Sequence, residues 1–238
     1  MQSVFYRDPG TTYPVAVRAE GMYVYDSEGR QYLDMSGGAA VSSVGHSHPA
    51  VIRAISEQVA RLAFAHTAFF TNEPQEKLAV RLADRFAEDN ARVWFTSGGS
   101  ESNESALKIA WQYWRARGQA DKTIIISRDF SYHGGTLGAT SISGSVYRRT
   151  PYEKVLHDWP RIAPCYAYRH KRQDESAEAY GKRVAGELEE AILAAGAENV
   201  AAFIAEPVVG ATLGVVPAVA GYFRDCLLYT SPSPRDCN

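Results

Sequence analysis

The run Thr123-Ile-Ile-Ile-Ser127 is short, apolar and rich in β-branched residues, a composition typical of a strand buried on both faces of a sheet. Helices are predicted on either side of it, over 101–117 and 135–143. A further helix over 175–195 leads to a second apolar run at Val200–Ala205. Strands that alternate with helices indicate parallel βαβ units. We therefore expect an α/β fold with a three-layer, open and mostly parallel sheet that has helices on both faces.

Upstream of this region, the sequence predicts a hairpin, two helices and a strand. Runs rich in tyrosine and β-branched residues at 22–26 and 31–35 flank a turn that contains glycine, which favours a β-hairpin. Apolar residues recur at helical spacing over 49–64, which begins with proline, and again over 74–88. The run 92–96 is predicted to be a strand.

Three segments are expected along the chain. Residues 1–48 form an N-terminal segment, and 49–226 form the main domain. Two prolines break the helical pattern within 227–238, so we interpret this tail as non-native; a natural disordered C-terminus is the alternative. The stretch 147–174 is rich in proline, tyrosine and arginine and is predicted to be a surface connection.

Composition excludes several classes of protein. The 238 residues carry 25 Lys and Arg against 27 Asp and Glu, a net charge of −2, so no basic excess supports binding to nucleic acid or to an anionic membrane. The longest uncharged stretch, 207–223, is interrupted by glycines and a proline and is too short for a membrane span. Cys165, Cys226 and Cys237 form no CxxC motif, which favours a reducing, cytoplasmic compartment.

The motif Ser97-Gly-Gly-Ser-Glu-Ser-Asn-Glu104 lies between a predicted strand and a predicted helix. Gly98 and Gly99 allow a tight turn and the close approach of a ligand. The N–H groups at the start of the helix, together with the Ser100 hydroxyl, would suit a phosphate group. Ordinary helix capping by the later residues of the motif explains the same pattern equally well.

Two further segments end predicted strands at the edge of the sheet where open α/β folds bind ligands. Tyr132-His133-Gly134-Gly135 follows the strand at 123–127, and its aromatic ring could stack on a flat cofactor. Glu206 follows the strand at 200–205 and could hydrogen bond to a substituent of the same ligand. Alternatively, Tyr132 covers the edge of the core and Glu206 is a surface carboxylate.

Two other sites are weaker alternatives. Ser100 lies in a sequence similar to a nucleophile elbow, with Asp129 and His157 as possible partners, but a serine replaces the last glycine of that motif. His46 and His48 have the spacing of two metal ligands on one strand face, but no third ligand is suitably placed. His48 is more simply explained as the N-cap of the next helix.

Five stretches in this order resemble the class III, pyridoxal-phosphate-dependent aminotransferases of fold type I, and the resemblance extends from about residue 4 to residue 226. The matching stretches are Gly29–Gly45, His46–Pro49, Phe95–Ala110, Ser131–Gly144 and Ala201–Pro217.

This resemblance implies pyridoxal 5′-phosphate as the cofactor, an amino donor and a 2-keto acid acceptor as substrates, and a homodimer. Residues 49–226 would be the large, cofactor-binding domain without its C-terminal part. The implied cofactor-binding residues are Gly98, Gly99 and Ser100 at the phosphate, Tyr132 stacked on the pyridine ring, His133 beside it and Glu206 near the phenolic oxygen.

The resemblance also implies a Schiff-base lysine, a pyridine-nitrogen aspartate and a phosphate-binding threonine of the partner subunit, but the chain has no match to these motifs. Its lysines all lie elsewhere, at Lys77, Lys108, Lys122, Lys154, Lys171 and Lys182. We therefore assign no catalytic residue, expect the natural chain to continue past Asp225, and expect the 238-residue chain to lack transaminase activity. A non-catalytic protein that binds a phosphorylated ligand is the alternative.

The substrate is only weakly indicated. Gly38, Ala39 and Ala40 lie where many family members place bulky pocket residues, which suggests a roomy pocket. After Glu206-Pro207 the chain has Val208–Ala211, where ornithine and γ-aminobutyrate enzymes carry Gln-Gly-Glu. This favours an amine or an ω- or β-amino acid as donor and a small 2-keto acid as acceptor.

Overall fold

The structure is a computed structural model, and it describes residues 3–86 and 90–230. These residues form two compact units, which meet in the sequence between Val93 and Trp94. The division falls later than the boundary predicted after residue 48. The helix that begins at Pro49 starts three residues after His46, which pairs with Gly21 of the N-terminal sheet region, and it lies within the first unit.

The N-terminal unit contains three strands and three helices. They are β1 (Ala16–Glu20), β2 (Tyr23–Asp26), β3 (Gln31–Leu33), α1 (Gly37–Ala40), α2 (Pro49–Arg61) and α3 (Glu73–Ala83).

The strands of this unit form an antiparallel sheet in the order β1-β2-β3. The β2–β3 pair confirms the predicted hairpin, and Gly29 takes a φ of +81° in its turn, a conformation that favours glycine. Strand β1 is an addition that the sequence reasoning missed.

Helices α2 and α3 begin at side-chain caps. His48 Nδ1 accepts a hydrogen bond from the Ala50 N–H at 3.3 Å, as predicted, and Asn72 Oδ1 accepts one from the Gln75 N–H at 3.0 Å. Neither helix has a buried residue. Their amphipathic sequences therefore form helices whose apolar stripes stay exposed.

The C-terminal unit contains the larger set of elements. They are α4 (Gly99–Ala116), β4 (Ile124–Arg128), α5 (Leu137–Ser141), α6 (Val146–Arg149), a 3₁₀ helix (Thr150–Val155), β5 (Arg161–Ile162), α7 (Ala167–His170), α8 (Ala177–Ala195), β6 (Val200–Phe203), β7 (Val208–Val209), β8 (Val216–Pro217) and α9 (Tyr222–Thr230).

The central sheet of this unit is parallel, with the strand order β5-β4-β6. Because alternate residues of a strand point to opposite faces, β4 joins two cores. Ile125 packs in a cluster with Leu107 of α4, and Ile126 packs in a cluster with Leu188 of α8. The predicted α/β architecture, with helices on both faces of a parallel sheet, is confirmed.

Two predicted elements are wrong. The 147–174 stretch is more than a surface connection, because Arg161–Ile162 forms the edge strand β5 beside β4. The predicted strand at 92–96 is irregular, and in the described part of the chain no strand pairs with it. A segment without a ladder partner lacks the hydrogen bonds that make a strand.

The end of the chain differs from the expected break after Cys226, because α9 continues to Thr230. The remainder of the predicted tail, residues 231–238, lies outside the described residues. Across the described ranges, none of the helices combines the length and apolar character needed to cross a bilayer. Cys165 and Cys226 are buried thiols whose pKa values are raised by burial.

Candidate functional site

The N-terminus of α4 is built from small residues. Gly98 is the N-cap residue, has extended backbone and has no side chain with which to cap the helix. A Cβ atom added at Gly99 would meet nothing within 4 Å. The free N–H groups of the first turn and the helix dipole therefore favour a bound anion at this end.

Ser100 connects this helix to the segment that follows β4. Its Oγ accepts a hydrogen bond of 2.9 Å from the Gly135 N–H. A hydroxyl that accepts through one lone pair still has its own proton to donate. The Ser100 O–H group is thus oriented by Gly135 and remains a donor for a ligand at the helix end.

Tyr132 and Glu206 lie after neighbouring parallel strands, β4 and β6. The Tyr132 N–H donates to Glu206 Oε2 at 3.0 Å, and Glu206 Oε1 accepts from the Gly210 N–H at 3.4 Å. The Arg128 side chain donates to the main-chain oxygen of Glu206. These bonds fix the Glu206 carboxylate against the loop that carries the Tyr132 ring.

The Tyr132 ring lines a groove of about 360 Å³ together with Gly135, Tyr147 and Tyr152. The Arg148 guanidinium carbon lies 4.6 Å from the centroid of this ring, within the range of a cation–π contact. The groove is therefore aromatic, carries a cation, and is bounded by the same loop that contacts the start of α4.

His133 is a buried residue of this loop. Its main-chain N–H donates to Ser143 Oγ at 2.8 Å. The Nε2 atom of its ring has no hydrogen-bond partner among the described residues. Burial, followed by the charge of the nearby Arg128, lowers the pKa of His133 to about 4. Near neutral pH the imidazole is uncharged, and its unsatisfied nitrogen can make one more hydrogen bond.

The structure thus brings most of the predicted site residues into one hydrogen-bonded assembly. Ser100 is linked to the loop through Gly135, and that loop is linked to Glu206 through Tyr132. Each of these links joins residues far apart in the sequence. Gly98 and Gly99 precede Ser100 at the same helix end.

The two alternative sites are not assembled. Asp129 faces Arg161 at 3.5 Å, and the His157 ring stacks on Trp159 with centroids 4.5 Å apart. Neither residue hydrogen bonds to Ser100, so the nucleophile prediction is wrong in its partners.

His46 and His48 also serve separate roles. His46 Nε2 hydrogen bonds to Asp34 Oδ2 at 2.8 Å, whereas His48 caps α2.

Sequence reasoning missed Arg128 and Arg148, and considered Asn103 and Glu104 only as helix caps. Asn103 hydrogen bonds to the loop after β4, and Glu104 hydrogen bonds to the first turn of α5, which follows that loop. The signal available in the sequence was their spacing from Ser100, since residues three and four positions apart share one face of a helix. No comparable signal pointed to the two arginines.

Comparisons with known proteins agree with the α/β fold described above. A sequence model of the family "Aminotransferase class-III" matches residues 6–230. An uncharacterised aminotransferase of Schizosaccharomyces pombe is 42% identical over 222 residues, which cover 93% of this chain and 48% of that protein. Mitochondrial γ-aminobutyrate transaminase 1 of Oryza sativa subsp. japonica is 41% identical over 217 residues, 88% of this chain and 41% of that protein.

Solved structures agree with the sequence comparison. The ω-transaminase of Pseudomonas jessenii in complex with PMP aligns with a TM-score of 0.87 and 30% identity, over 98% of this chain and 52% of that chain. The chain therefore spans about half the length of the relatives it matches. With the family match extending over nearly all of its described residues, this chain belongs to the class III aminotransferases.

Proposed function

We propose that this chain belongs to a transaminase that, at the full length of its relatives, moves an amino group from an amine or an ω- or β-amino acid to a small 2-keto acid. Pyridoxal 5′-phosphate is the cofactor of this family. When bound, it supplies a carbonyl for the amine and an electron-withdrawing ring. The observation that carries the proposal is the hydrogen-bonded assembly in which Ser100, Tyr132 and Glu206 are joined through one loop.

The residues of the assembly fit the chemical groups of this cofactor. The phosphate, a dianion, suits the uncapped start of α4, where Gly98, Gly99 and the Ser100 hydroxyl supply donors without steric hindrance. Tyr132 offers an aromatic surface for the pyridine ring. We assign binding of the phosphate to Gly98, Gly99 and Ser100, and stacking on the pyridine ring to Tyr132.

His133 and Glu206 complete the proposed site. The buried His133 flanks the ring, and its unpartnered Nε2 supports contact with a bound group. Glu206 is oriented by the Tyr132 and Gly210 N–H groups; we assign it to the phenolic oxygen, where a carboxylate can hold a proton. These two residues bind and orient.

We propose that none of the lysines of this chain is the lysine that bonds to the cofactor. Lys77 pairs with Glu73, and Lys122 donates to the main-chain oxygens of Ala197 and Val200. Neither they nor the other lysines match the family's lysine motif. We propose that the 238-residue chain binds the cofactor reversibly and does not turn over amines.

Binding of the cofactor tests the site directly. We expect the chain to bind pyridoxal 5′-phosphate more tightly than pyridoxal, as measured by quenching of its aromatic fluorescence. Ser100→Ala should weaken the binding by about tenfold, since a hydrogen bond to a charged group is lost, and Ser105→Ala on the same helix is the control. Equal affinity for the two ligands would contradict the phosphate assignment.

A second variant tests the proposed stacking of Tyr132 on the pyridine ring. Tyr132→Leu should weaken binding of pyridoxal 5′-phosphate and leave the affinity for inorganic phosphate unchanged, because only the stacking contact is removed. Tyr168→Leu, at an exposed tyrosine, is the matched control. Loss of both affinities would show that Tyr132 has a structural role instead.

The reaction itself is tested in a protein of the relatives' full length that carries this chain. We expect transfer from amines and ω- or β-amino acids, in a homodimer located in the cytoplasm. The panel should include γ-aminobutyrate, because a rice relative is a γ-aminobutyrate transaminase. Binding of the cofactor with no turnover of any donor would favour a non-catalytic binding protein.

A further inference from the structure

One face of α4 contacts the loop after β4 and the first turn of α5 through three side chains. Ser100, Asn103 and Glu104 are spaced i, i+3 and i+4 and so share this face. The Ser100 contact orients the hydroxyl toward the proposed phosphate. The other two contacts have no direct role in the proposed binding of the cofactor.

Asn103 holds the loop at its centre. Its Nδ2 donates to the main-chain oxygen of His133, at 2.5 Å. His133 follows Tyr132 directly, so this bond fixes the backbone immediately after the proposed stacking residue.

Glu104 contacts the start of α5, the helix that follows the loop. Its Oε1 accepts a hydrogen bond of 3.2 Å from the Ala139 N–H. The N-cap residue of α5, Thr136, makes no cap bond with its own side chain. Glu104 therefore caps α5 from a different helix, and its negative charge also suits the positive end of the α5 dipole.

Two glycines explain how closely the helix and loop approach. A Cβ atom at Gly134 would lie 2.6 Å from Ser100 Oγ and 2.9 Å from Ser100 Cα. A Cβ atom at Gly138 would collide with the Glu104 carboxylate. Gly134 thus permits an approach of the loop to the α4 backbone that a side chain would obstruct, and Gly138 leaves room for the Glu104 carboxylate.

We propose that Asn103 and Glu104 are positioning residues, which set the distance between the Tyr132 ring and the first turn of α4. This inference rests on the proposed function. A ligand with a phosphate and a ring separated by a fixed distance gains from both contacts only if helix and loop are held at the matching distance. Inorganic phosphate, which contacts the helix end alone, does not depend on that distance.

The experiment compares two ligands on the 238-residue chain. We expect Glu104→Ala to weaken binding of pyridoxal 5′-phosphate by about tenfold, because the ligand must then itself restore the distance between helix and loop. Its affinity for inorganic phosphate should be unchanged or higher, because a negative charge near the anion is removed. The ratio of the two affinities is the readout, since general destabilisation would lower both.

Matched variants separate positioning from charge. Glu104→Gln keeps an oxygen that can accept from the Ala139 N–H and should restore most of the affinity for pyridoxal 5′-phosphate. Glu101→Ala removes another carboxylate from the same part of α4, one that makes no hydrogen bond to the loop among the described residues, and should not weaken either ligand.

Asn103→Ala is the second test if Glu104→Ala lowers the thermal midpoint too far for binding to be measured. It should shift the same ratio in the same direction. An unchanged ratio in these variants, or equal loss of both affinities, would overturn the positioning role. If the unmodified chain binds inorganic phosphate but shows no preference for pyridoxal 5′-phosphate, the proposed function fails instead.

Discussion

The two units of this chain are stabilised in different ways. In the C-terminal unit, β4 joins two apolar clusters, and α8 buries five residues. In the described part of the N-terminal unit, the only buried residue is Asp26. Its carboxylate accepts hydrogen bonds from the Arg30 N–H and Nε and from the Tyr32 hydroxyl. One unit is organised by apolar burial and the other by carboxylates.

The comparison shows what an amphipathic sequence does and does not determine. Helices α2 and α8 both have apolar residues at helical spacing, and both begin at a capping side chain. Helix α8 packs against β4 and β5 of the parallel sheet, which presents an apolar face, whereas α2 buries none of its residues. The periodicity determines that a helix forms, whereas burial depends on the partner surface.

The largest expected difference is between core substitutions in the two units. Leu188→Ala, in the fully buried face of α8, should lower the free energy of unfolding by about 2–5 kcal/mol because a cavity is left. Ile55→Ala, on α2 where Ile55 is 58% exposed, should change it by about 0.5 kcal/mol or less. Urea unfolding measures both, and equal losses would break the comparison.

As the pH falls, the N-terminal unit should lose stability before the C-terminal unit. Burial opposes ionisation of Asp26, but hydrogen bonds from Arg30, Tyr32 and Glu28 outweigh it and hold its pKa well below the ordinary value. Hydrogen bonds, first from His46 and then from Ser36, lower the pKa of Asp34 to about 2.

Since both folded-state pKa values lie below the unfolded value of about 4, the stabilisation is complete above that pH. It is lost as the pH falls toward 2. Hydrogen exchange from pH 6 to pH 2 should therefore show loss of protection in β2 and β3 before β4. Simultaneous loss in both sheets would contradict the assignment of carboxylates as the stabilising groups.

Equivalent helix caps should have different consequences in the two units. Asn72 and Ser176 each accept a backbone hydrogen bond of 3.0 Å, at the starts of α3 and α8. Replacing either by alanine should cost about 1 kcal/mol. In α3, which buries no residue, this should appear as faster local hydrogen exchange, whereas α8 should lose only global stability. Identical exchange patterns would mean that α3 is also held by packing.

The smallest expected effect is a gain from a glycine in α8. A Cβ atom at Gly186 would meet nothing within 4 Å, so Gly186→Ala should raise the free energy of unfolding by about 0.5–1 kcal/mol through helix propensity. At Gly181 the same atom would lie 2.7 Å from Val219 Cγ2, and Gly181→Ala should destabilise. Thermal unfolding of the pair compares an open and a packed face of one helix.

The sequence alone was sufficient for elements whose signal is local. Apolar runs predicted β4 and β6, and the helices predicted over 101–117 and 175–195 correspond to α4 and α8, because strand and helix patterns repeat within a few residues. It failed for β5 and for 92–96, where strand formation depends on a partner far along the chain. The short Arg161–Ile162 pair becomes a strand only because β4 lies beside it.

The candidate site divides in the same way. The residue types at Ser100, Tyr132 and Glu206 were evident from the sequence, since each follows or begins an element at the expected edge of the sheet. Their connections were not, because the Ser100–Gly135 and Tyr132–Glu206 hydrogen bonds join residues 35 and 74 positions apart. Residue types that suit a given ligand can be recognised from neighbouring positions in the sequence. The distances between their side chains are set only when the sheet and helices pack.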